Sequence, residues 1–372
     1  MQDLFITTTP FLQPLLLKEL QEMGVPSIRQ GLAGLFIPRE MEWVYKINYC
    51  SRFATRVLWP FLQFRCEDRE DLYRGAYDID WPGIFSADQT FAIDANVTSP
   101  TIRHSLFAAQ VVKDAICDRF RKARLDRPSV KTDDPDVQFN LFIYNGIATL
   151  SLDTSGAPLF KRGWRTQTGD APLPESVAAA VLSLSNFSSD EILCDPFCGS
   201  GTILIEAAFH LTQTPSGFFR KSWGFFNHPN FSESEWQKVK AEADHHRTPL
   251  PSGKLFGADK DPMAINMCAH NLKNANFEYE IEVTPKDIRS YFPETPPTLI
   301  LSNPPYGKRL QTSMELYQAL GHFMKTRCAK GCRASILCPD ENLMKNSGLT
   351  IVRKQPVSYG GISLFLFHLT AE

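Results

Sequence analysis

An asparagine, two prolines and a tyrosine follow an apolar segment near residue 300, and together they can activate an amino group. The segment Thr298-Leu299-Ile300-Leu301 runs into Asn303-Pro304-Pro305-Tyr306. An exocyclic amino group on a ring is a poor nucleophile because its lone pair is delocalised. Acceptors on Asn303 and the rigid Pro304 can hold both N–H bonds and turn the lone pair toward an electrophile, while Tyr306 stacks on the ring. The pattern predicts Asn303, Pro304, Pro305 and Tyr306 as catalytic residues; the alternative is an ordinary strand exit.

A glycine-containing turn lies upstream, between the short apolar strand Ile192-Leu193-Cys194 and a helical run from Ile203 to Leu211. The turn reads Asp195-Pro196-Phe197-Cys198-Gly199-Ser200-Gly201-Thr202. Glycines let the backbone approach a ligand closely, and a helix start offers free N–H donors. The turn lacks the Gly-Lys-Ser/Thr of a phosphate-binding loop and the spacing of the dinucleotide motif. It therefore predicts a binding site for a cofactor without phosphates.

Carboxylates follow the next two predicted strands, Leu255 to Ala258 and Glu280 to Thr284. In nucleotide-binding α/β folds, an acid at the tip of the second strand accepts the hydroxyls of a ribose. Asp259 is the first choice for this contact and Asp261 the second, and Asp287 is placed to accept a hydrogen bond from an adenine amino group. Each acid alone can also be a solvated turn residue.

Composition narrows the classes of protein. The chain has 372 residues, 43% of them hydrophobic, with a net charge of −2, which allows two or more domains and excludes a polycation. No early segment resembles a signal peptide or a membrane span. The nine cysteines form no Cys-x-x-Cys pair and have no histidines at metal-site spacing. They predict reduced thiols in a cytoplasmic protein, with no metal.

The N-terminal part alternates short strands and helices, which predicts a small α+β region. A hairpin follows over Val137 to Tyr144 and Ile147 to Leu152, turned at Asn145-Gly146. A helix from Leu106 to about Arg124 has a basic end. We predict from this region the RNA-binding residues Arg103, Arg119, Arg121, Lys122 and Arg124.

A second basic segment, Lys161-Arg162-Gly163-Trp164-Arg165, stands at the predicted domain junction. Lys161, Arg162 and Arg165 around an indole can grip phosphates while the ring stacks on a base. The alternative is a solvated linker with one buried tryptophan.

The two motifs, Asp195 to Thr202 and Asn303 to Tyr306, resemble those of S-adenosylmethionine-dependent amino-group methyltransferases. The N-terminal half is similar to the THUMP-containing half of bacterial 23S rRNA guanine-N2 methyltransferases, and Ala171-Pro172-Leu173-Pro174-Glu175 resembles the junction into their catalytic half. The matching N-terminal stretches are Arg52 to Leu58, Ala95-Asn96-Val97, Arg103-His104-Ser105, Asp134-Pro135-Asp136, Ser151 to Gly156 and Lys161 to Arg165.

This resemblance implies S-adenosyl-L-methionine as cofactor and 23S rRNA, or a precursor of the large ribosomal subunit, as partner. The residues implied to bind the cofactor are Asp195, Pro196, Cys198, Gly199, Gly201, Thr202, Asp259, Asp261, Asp287 and Asn303. Two departures from the family bear on the adenine contact: Lys260 replaces an apolar residue, and Pro285-Lys286 stands where a glycine commonly precedes Asp287.

The resemblance implies an α/β fold, with a Rossmann-like class I methyltransferase domain preceded by an α+β region. The expected domains are a ferredoxin-like subdomain (1–62), a THUMP domain (63–158), a linker (159–171) and one methyltransferase domain (172–372). Residues 212–252 form a long insertion, expected to be helical, that either flanks the substrate entrance or simply packs. An edge hairpin turned at Gly360-Gly361 is expected near the C-terminus.

Three other functions stay open. A tRNA guanine-N2 methyltransferase combines the same two domain types, and a DNA adenine-N6 methyltransferase shares the catalytic motifs. The third is a non-catalytic RNA-binding protein of ribosome assembly, which cofactor binding would distinguish.

Overall fold

A computed structural model describes residues 3–169, 172–305 and 314–371. Its contacts divide the chain into two compact units: residues 1–8, 17–159 and 220–241 form the first, and residues 9–16, 160–219 and 242–372 the second. None of the described helices is long and apolar enough to cross a membrane.

The strands are β1 (Asp3–Thr7), β2 (Arg29–Gly31), β3 (Gly34–Pro38), β4 (Arg56–Arg65), β5 (Phe91–Thr98), β6 (Val137–Tyr144), β7 (Ile147–Asp153), β8 (Leu193–Asp195), β9 (Leu255–Asp259), β10 (Glu282–Pro285), β11 (Leu299–Ser302), β12 (Arg333–Cys338), β13 (Thr350–Tyr359) and β14 (Ile362–Thr370). The α-helices are α1 (Gln13–Glu22), α2 (Met41–Cys50), α3 (Arg69–Tyr77), α4 (Ser105–Lys122), α5 (Glu175–Leu184), α6 (Thr202–Leu211), α7 (Glu233–His245), α8 (Pro262–Asn274), α9 (Met314–Arg327) and α10 (Glu341–Lys345).

One sheet runs through the whole first unit, in the order β2-β3-β1-β4-β7-β6-β5. Strand β4 pairs with β1 on one side and with β7 on the other. The boundary expected between residues 62 and 63 therefore falls inside β4, and the two expected N-terminal domains share one sheet. The hairpin of β6 and β7 is confirmed, because Asn145 and Gly146 both have the positive φ that its two-residue turn requires.

The long insertion is divided between the two units, since residues 212–219 and 242–252 belong to the second. Residues 220–241 belong to the first unit, and Trp236 on α7 makes an edge contact with Tyr49 on α2, with 5.3 Å between ring centroids. Phe225 makes a similar contact with Tyr45 at 5.1 Å. The helix expected in this insertion is present as α7, and Trp236 and Phe225 pack against α2.

The second unit contains a doubly wound sheet in the order β10-β9-β8-β11-β12-β14-β13. The first five strands are parallel, and β14 and β13 run antiparallel as the expected edge hairpin. Apolar residues of α5, α6 and α8 cover one face of this sheet, and residues of α9 lie in the cluster on the other. The strand order reverses between β8 and β11, and such a switch point leaves a crevice at the carboxyl ends of the strands where ligands bind.

The segment expected as a linker is instead part of the second unit, which takes up residues from 160 onward. Trp164 is buried in the same core as Leu173, Val177 and Leu204. Arg162 and Trp164 of the expected linker at 159–171 are therefore packed, whereas Thr166, Gln167 and Thr168 are exposed.

Candidate active site

The polar residues at the ends of β8 and β11 meet at the switch point of the sheet. Ser302 Oγ donates to Asp195 Oδ1 at 2.5 Å, and the Phe197 backbone N–H donates to the same oxygen at 3.1 Å. The hydrogen bond from Ser302 ties the end of β8 to the end of β11, because the two strands are adjacent and parallel, and the bond from Phe197 lies within the turn after β8. The sequence predicted both strand ends but not the hydrogen bond from Ser302. Its position directly before Asn303, at the end of a strand adjacent to β8, was the signal that could have indicated this contact.

Asp195 is buried, and its burial raises the pKa of the carboxyl group to about 7. The hydrogen bonds from Ser302 and the Phe197 backbone lower that pKa, whereas the nearby Asp259 carboxylate raises it. A buried carboxylate without a counter-ion is destabilised relative to its neutral form. Asp195 is therefore a group whose charge responds to pH near neutrality.

Asn303 directly follows β11 and presents an acceptor without a partner. Its Oδ1 is buried and has no hydrogen-bond partner among the described residues. A buried polar atom left unpaired is unfavourable by about 1–3 kcal/mol, so this oxygen is suited to an N–H donor from a ligand. Pro304 and Pro305 follow it, and Tyr306 lies outside the described residues.

The two glycines of the turn after β8 have different surroundings. Gly201 has no room for a side chain, whereas Gly199 faces open space. Gly199 and Gly201 both have positive φ, at 52° and 85°. A Cβ on Gly201 would lie 2.6 Å from Cys268 Sγ, whereas one on Gly199 would meet nothing within 4 Å. The Gly199 N–H donates to Asp259 Oδ2 at 3.1 Å. The loop is thus held close to β9 and is open on its other side.

Cys198 lies in the same turn and is buried, as is Pro196. A hydrogen bond with Cys268 and burial both raise the pKa of the Cys198 thiol. It remains protonated at neutral pH, and its chemistry is that of a small apolar contact rather than a nucleophile. No group of three His, Cys, Asp or Glu that could hold a metal ion occurs within 3–169, 172–305 and 314–371.

The three acids after β9 and β10 differ in how much of each carboxylate is already engaged. Burial raises the pKa of Asp259, whose oxygens accept the N–H groups of Gly199 and Asp261. Asp261 caps α8 by accepting the Met263 N–H at 2.9 Å. Asp287 accepts the Arg289 N–H at 2.9 Å and forms an ion pair with its guanidinium. Asp259 stays the first choice for the proposed ribose contact because it stands at the end of β9, and each of its oxygens, which accepts one N–H, can accept a further hydrogen bond.

The basic segment at 161–165 does not have the structure expected of an RNA contact. Arg162 and Glu206 form an ion pair at 3.2 Å with both side chains 0% exposed. Arg165 Nε donates to Glu175 Oε1 at 2.9 Å and the side chain is only 10% exposed. The prediction that Arg162 and Arg165 bind RNA is wrong for this reason: buried guanidinium groups paired with carboxylates cannot reach phosphates. Lys161 is exposed.

The basic end of α4 remains on the surface. Arg121, Lys122 and Arg124 are exposed, as is Arg103 before the helix. Arg119 is half-buried, with Nε unpartnered among the described residues. These five side chains keep their predicted role in binding RNA as a proposal.

A cavity of about 530 Å³ opens beside this end of α4. It is lined by Arg69, Tyr73, Lys113, Asp114, Cys117, Asp118, Arg121 and Arg127. Four cations against two carboxylates favour an anionic ligand. The sequence-based predictions assigned neither Arg69 nor Lys113 to a site. Lys113 could have been found from its spacing, since it lies eight residues before Arg121 on α4; Arg69 could not, because α3 was not predicted.

The fold and the site together define a class of protein. A doubly wound sheet with a glycine turn after its first strand, an acid after its second and an asparagine at the switch point is the arrangement of a Rossmann-like methyltransferase domain. The model of the RMKL-like methyltransferase domain family matches residues 162–365, and the chain belongs to that family. Models of the RlmL ferredoxin-like domain and the THUMP domain match residues 3–58 and 66–153. The predicted family and fold class are confirmed.

Known proteins are similar over most of the chain. The ribosomal RNA large subunit methyltransferase K/L of Shewanella frigidimarina (strain NCIMB 400) is 35% identical over 354 residues, which are 93% of this chain and 50% of that protein. The chain thus spans about half the length of this curated relative.

Solved structures share the fold. A putative methyltransferase complexed with SAH has 24% identity and a TM-score of 0.86, with 99% of this chain and 97% of that chain covered. TrmN from Thermus thermophilus has 21% identity and a TM-score of 0.71, with 100% and 99% covered.

Proposed function

We propose that this chain transfers a methyl group from S-adenosyl-L-methionine to the exocyclic N2 of a guanine in 23S rRNA. The observation that carries the proposal is the buried Oδ1 of Asn303 at the switch point of the sheet, which has no hydrogen-bond partner within 3–169, 172–305 and 314–371. An amino group is a donor that satisfies this acceptor, and the same hydrogen bond turns the nitrogen lone pair away from the ring.

The residues at the carboxyl ends of β8 and β9 fit this cofactor. The turn at Gly199 is open to a ligand, and Asp259 is half-buried at the end of β9, where a ribose is held in related folds. When bound, the cofactor supplies a methyl group on a sulfonium, which is already an electrophile. Asp195, Cys198, Gly199, Gly201 and Thr202 would line its methionine end, and Asp259 would hold its ribose.

The role of the protein's own residues is mainly to position the acceptor. Asn303 Oδ1 and the Pro304 carbonyl would accept the two N–H bonds of the guanine amino group, with Tyr306 proposed to stack on the base. Holding reacting atoms in line accounts for much of the rate enhancement of such reactions. The nitrogen becomes cationic as it is methylated, so its proton is then acidic enough to leave without a strong base.

The RNA substrate is supported by the THUMP match at residues 66–153 and by the exposed basic side chains of α4. The name of the similar Shewanella protein favours 23S rRNA, free or in a precursor of the large subunit, over tRNA. A DNA adenine substrate shares the asparagine chemistry but does not account for the THUMP match.

The test is nucleoside mass spectrometry after incubation of the protein and S-adenosylmethionine with unmodified 23S rRNA, tRNA and duplex DNA in parallel. N2-methylguanosine from 23S rRNA alone is the expected result. The same product from tRNA alone would show that the substrate is tRNA, and methyladenine in DNA would overturn the assignment of guanine as the target base. No methylated product with bound cofactor would favour a non-catalytic RNA-binding protein.

Asn303→Ala tests the role of the asparagine. Turnover should fall roughly 100-fold or more, in line with the loss of one positioned hydrogen-bonding group, while the affinity for S-adenosylmethionine stays near that of the wild type. Asn342→Ala, at an exposed position on α10, is the matched control and should leave turnover unchanged. An equal loss of cofactor binding and turnover in Asn303→Ala would contradict the assigned role.

A further inference from the structure

No side chain among the described residues caps the N-terminus of α6. The helix runs from Thr202 to Leu211, its N-cap is Gly201 in the left-handed conformation, and neither a capping side chain nor a first-turn acid is present. The first N–H groups of a helix point outward and form a partial positive charge that attracts anions. A helix start of this kind is an anion site only if another group supports it.

Arg165 supplies that support. Its Nη2 donates to Thr202 Oγ1 at 2.8 Å, which places the guanidinium directly beside the first residue of α6. Nη2 also donates to the Leu173 carbonyl at 3.1 Å, and Nε donates to Glu175. The side chain is 10% exposed. These hydrogen bonds therefore hold the guanidinium inside the protein, next to the glycine turn that precedes α6.

One edge of the guanidinium is left without an acceptor. Arg165 Nη1 is buried and has no hydrogen-bond partner in residues 3–169, 172–305 or 314–371. A guanidinium carries five N–H donors in a rigid fork, and a buried charged donor left unpaired is strongly unfavourable. Glu175 offsets the charge of Arg165, but it accepts a hydrogen bond from Nε and not from Nη1. Nη1 can therefore donate to a second anionic group.

We infer that Arg165 and the N-terminus of α6 bind the carboxylate of the methionine end of S-adenosylmethionine. The inference rests on the proposed function and adds a cofactor-binding residue that neither motif contains. A carboxylate has the planar geometry that an arginine fork matches, and hydrogen bonds between charged groups in a poorly solvated place are strong. An RNA phosphate is a poorer candidate, because a side chain this buried is out of reach of a nucleic acid backbone.

The test compares two ligands that differ only in this group. Binding of S-adenosylmethionine and of decarboxylated S-adenosylmethionine is measured by isothermal titration calorimetry for the wild type and for Arg165→Met. The wild type should bind the carboxylate form roughly 10- to 100-fold more tightly, the range expected for a charged hydrogen bond. Arg165→Met should lose most of this preference, because only the helix N-terminus remains to bind the carboxylate, while its affinity for the decarboxylated ligand is unchanged.

Controls separate a direct contact from a general effect on folding. Lys161→Met, an exposed neighbour, should keep the full preference. Arg165→Lys keeps the charge without the fork and should retain part of the preference. If Arg165→Met does not fold, the wild type and Arg165→Lys still test the inference.

Three results would overturn the inference. They are equal losses for both ligands in Arg165→Met and Arg165→Lys, a full preference retained in Arg165→Met, and equal affinities of the wild type for the two ligands. A wild type that binds neither ligand would overturn the proposed cofactor itself, and the inference with it.

Discussion

Two basic segments look alike in the sequence and have opposite environments in the structure. The segment 161–165 contains Arg162, which is fully buried against Glu206. The end of α4 contains Arg121, Lys122 and Arg124, which are all exposed. The difference lies in carboxylates that are remote in the chain, since Glu206 is 44 residues from Arg162. Local charge density therefore predicts a nucleic acid contact only when no distant acid packs against it.

The largest expected effect comes from breaking the buried pair. Arg162→Met removes the guanidinium that pairs with the fully buried Glu206 carboxylate and should lower the free energy of unfolding by about 3–5 kcal/mol. Chemical denaturation measures this loss. The folded fraction should bind RNA as tightly as the wild type, because Arg162 does not reach the surface.

The double variant Arg162→Met/Glu206→Leu is the matched control for this prediction. Replacing both members of a buried ion pair by apolar groups is often neutral, so most of the lost stability should return. Wild-type stability in Arg162→Met together with weaker RNA binding would show that the sequence-based assignment of Arg162 was correct.

A second prediction concerns Asp195, a buried carboxylate that has no ion pair among the described residues, unlike Glu206 and Glu175. Its pKa is about 7 in the folded protein against an ordinary value of 3.8, so the folded state favours the protonated form. The resulting stability is present below pH 3.8 and is lost as the pH rises through 7. The free energy of unfolding should fall by about 2 kcal/mol between pH 5 and pH 7 from this group alone.

Asp195→Asn removes the titrating group and keeps its shape. Denaturant unfolding of the ligand-free protein at pH 5 and pH 7 should show a smaller decrease in stability for this variant than for the wild type. Equal pH dependence of the two proteins would mean that Asp195 has its ordinary pKa and that burial without an arginine has little effect here.

The sequence was sufficient for the parts of the site that follow short apolar strands. The strands β8, β9 and β11, and with them the positions of Asp195, Asp259 and Asn303 at one edge of the sheet, follow from apolar segments ended by polar residues. Helix α3 was missed because Arg69 to Tyr77 is mostly polar, with only Leu72 and Ala76 buried. Because α3 was not predicted, the cavity between α3 and α4 could not be predicted either.

Contacts between remote segments could not be predicted in this way. The partner of Arg162 and the packing of residues 220–241 on the first unit depend on tertiary structure, which local patterns do not encode. The carboxylate contact proposed for Arg165 is of the same kind, because it depends on which of its donors other residues leave free.

The smallest expected effect is on RNA binding by the exposed segment. The triple variant Arg121→Gln/Lys122→Gln/Arg124→Gln should lower the affinity for 23S rRNA roughly tenfold. It should also reduce the slope of log affinity against log salt concentration by about 1 for each phosphate that the variant no longer neutralises. Its stability should change little, because exposed ion pairs such as that of Arg121 with Asp118 contribute about 0–1 kcal/mol. Lys18→Gln/Arg29→Gln/Arg65→Gln, which removes three exposed cations elsewhere in the first unit, is the matched control and should have a smaller effect. Equal decreases in affinity for the two triple variants would mean that net charge alone attracts the RNA. The two basic segments would then differ in exposure, but the exposed one would not be a specific RNA-binding site.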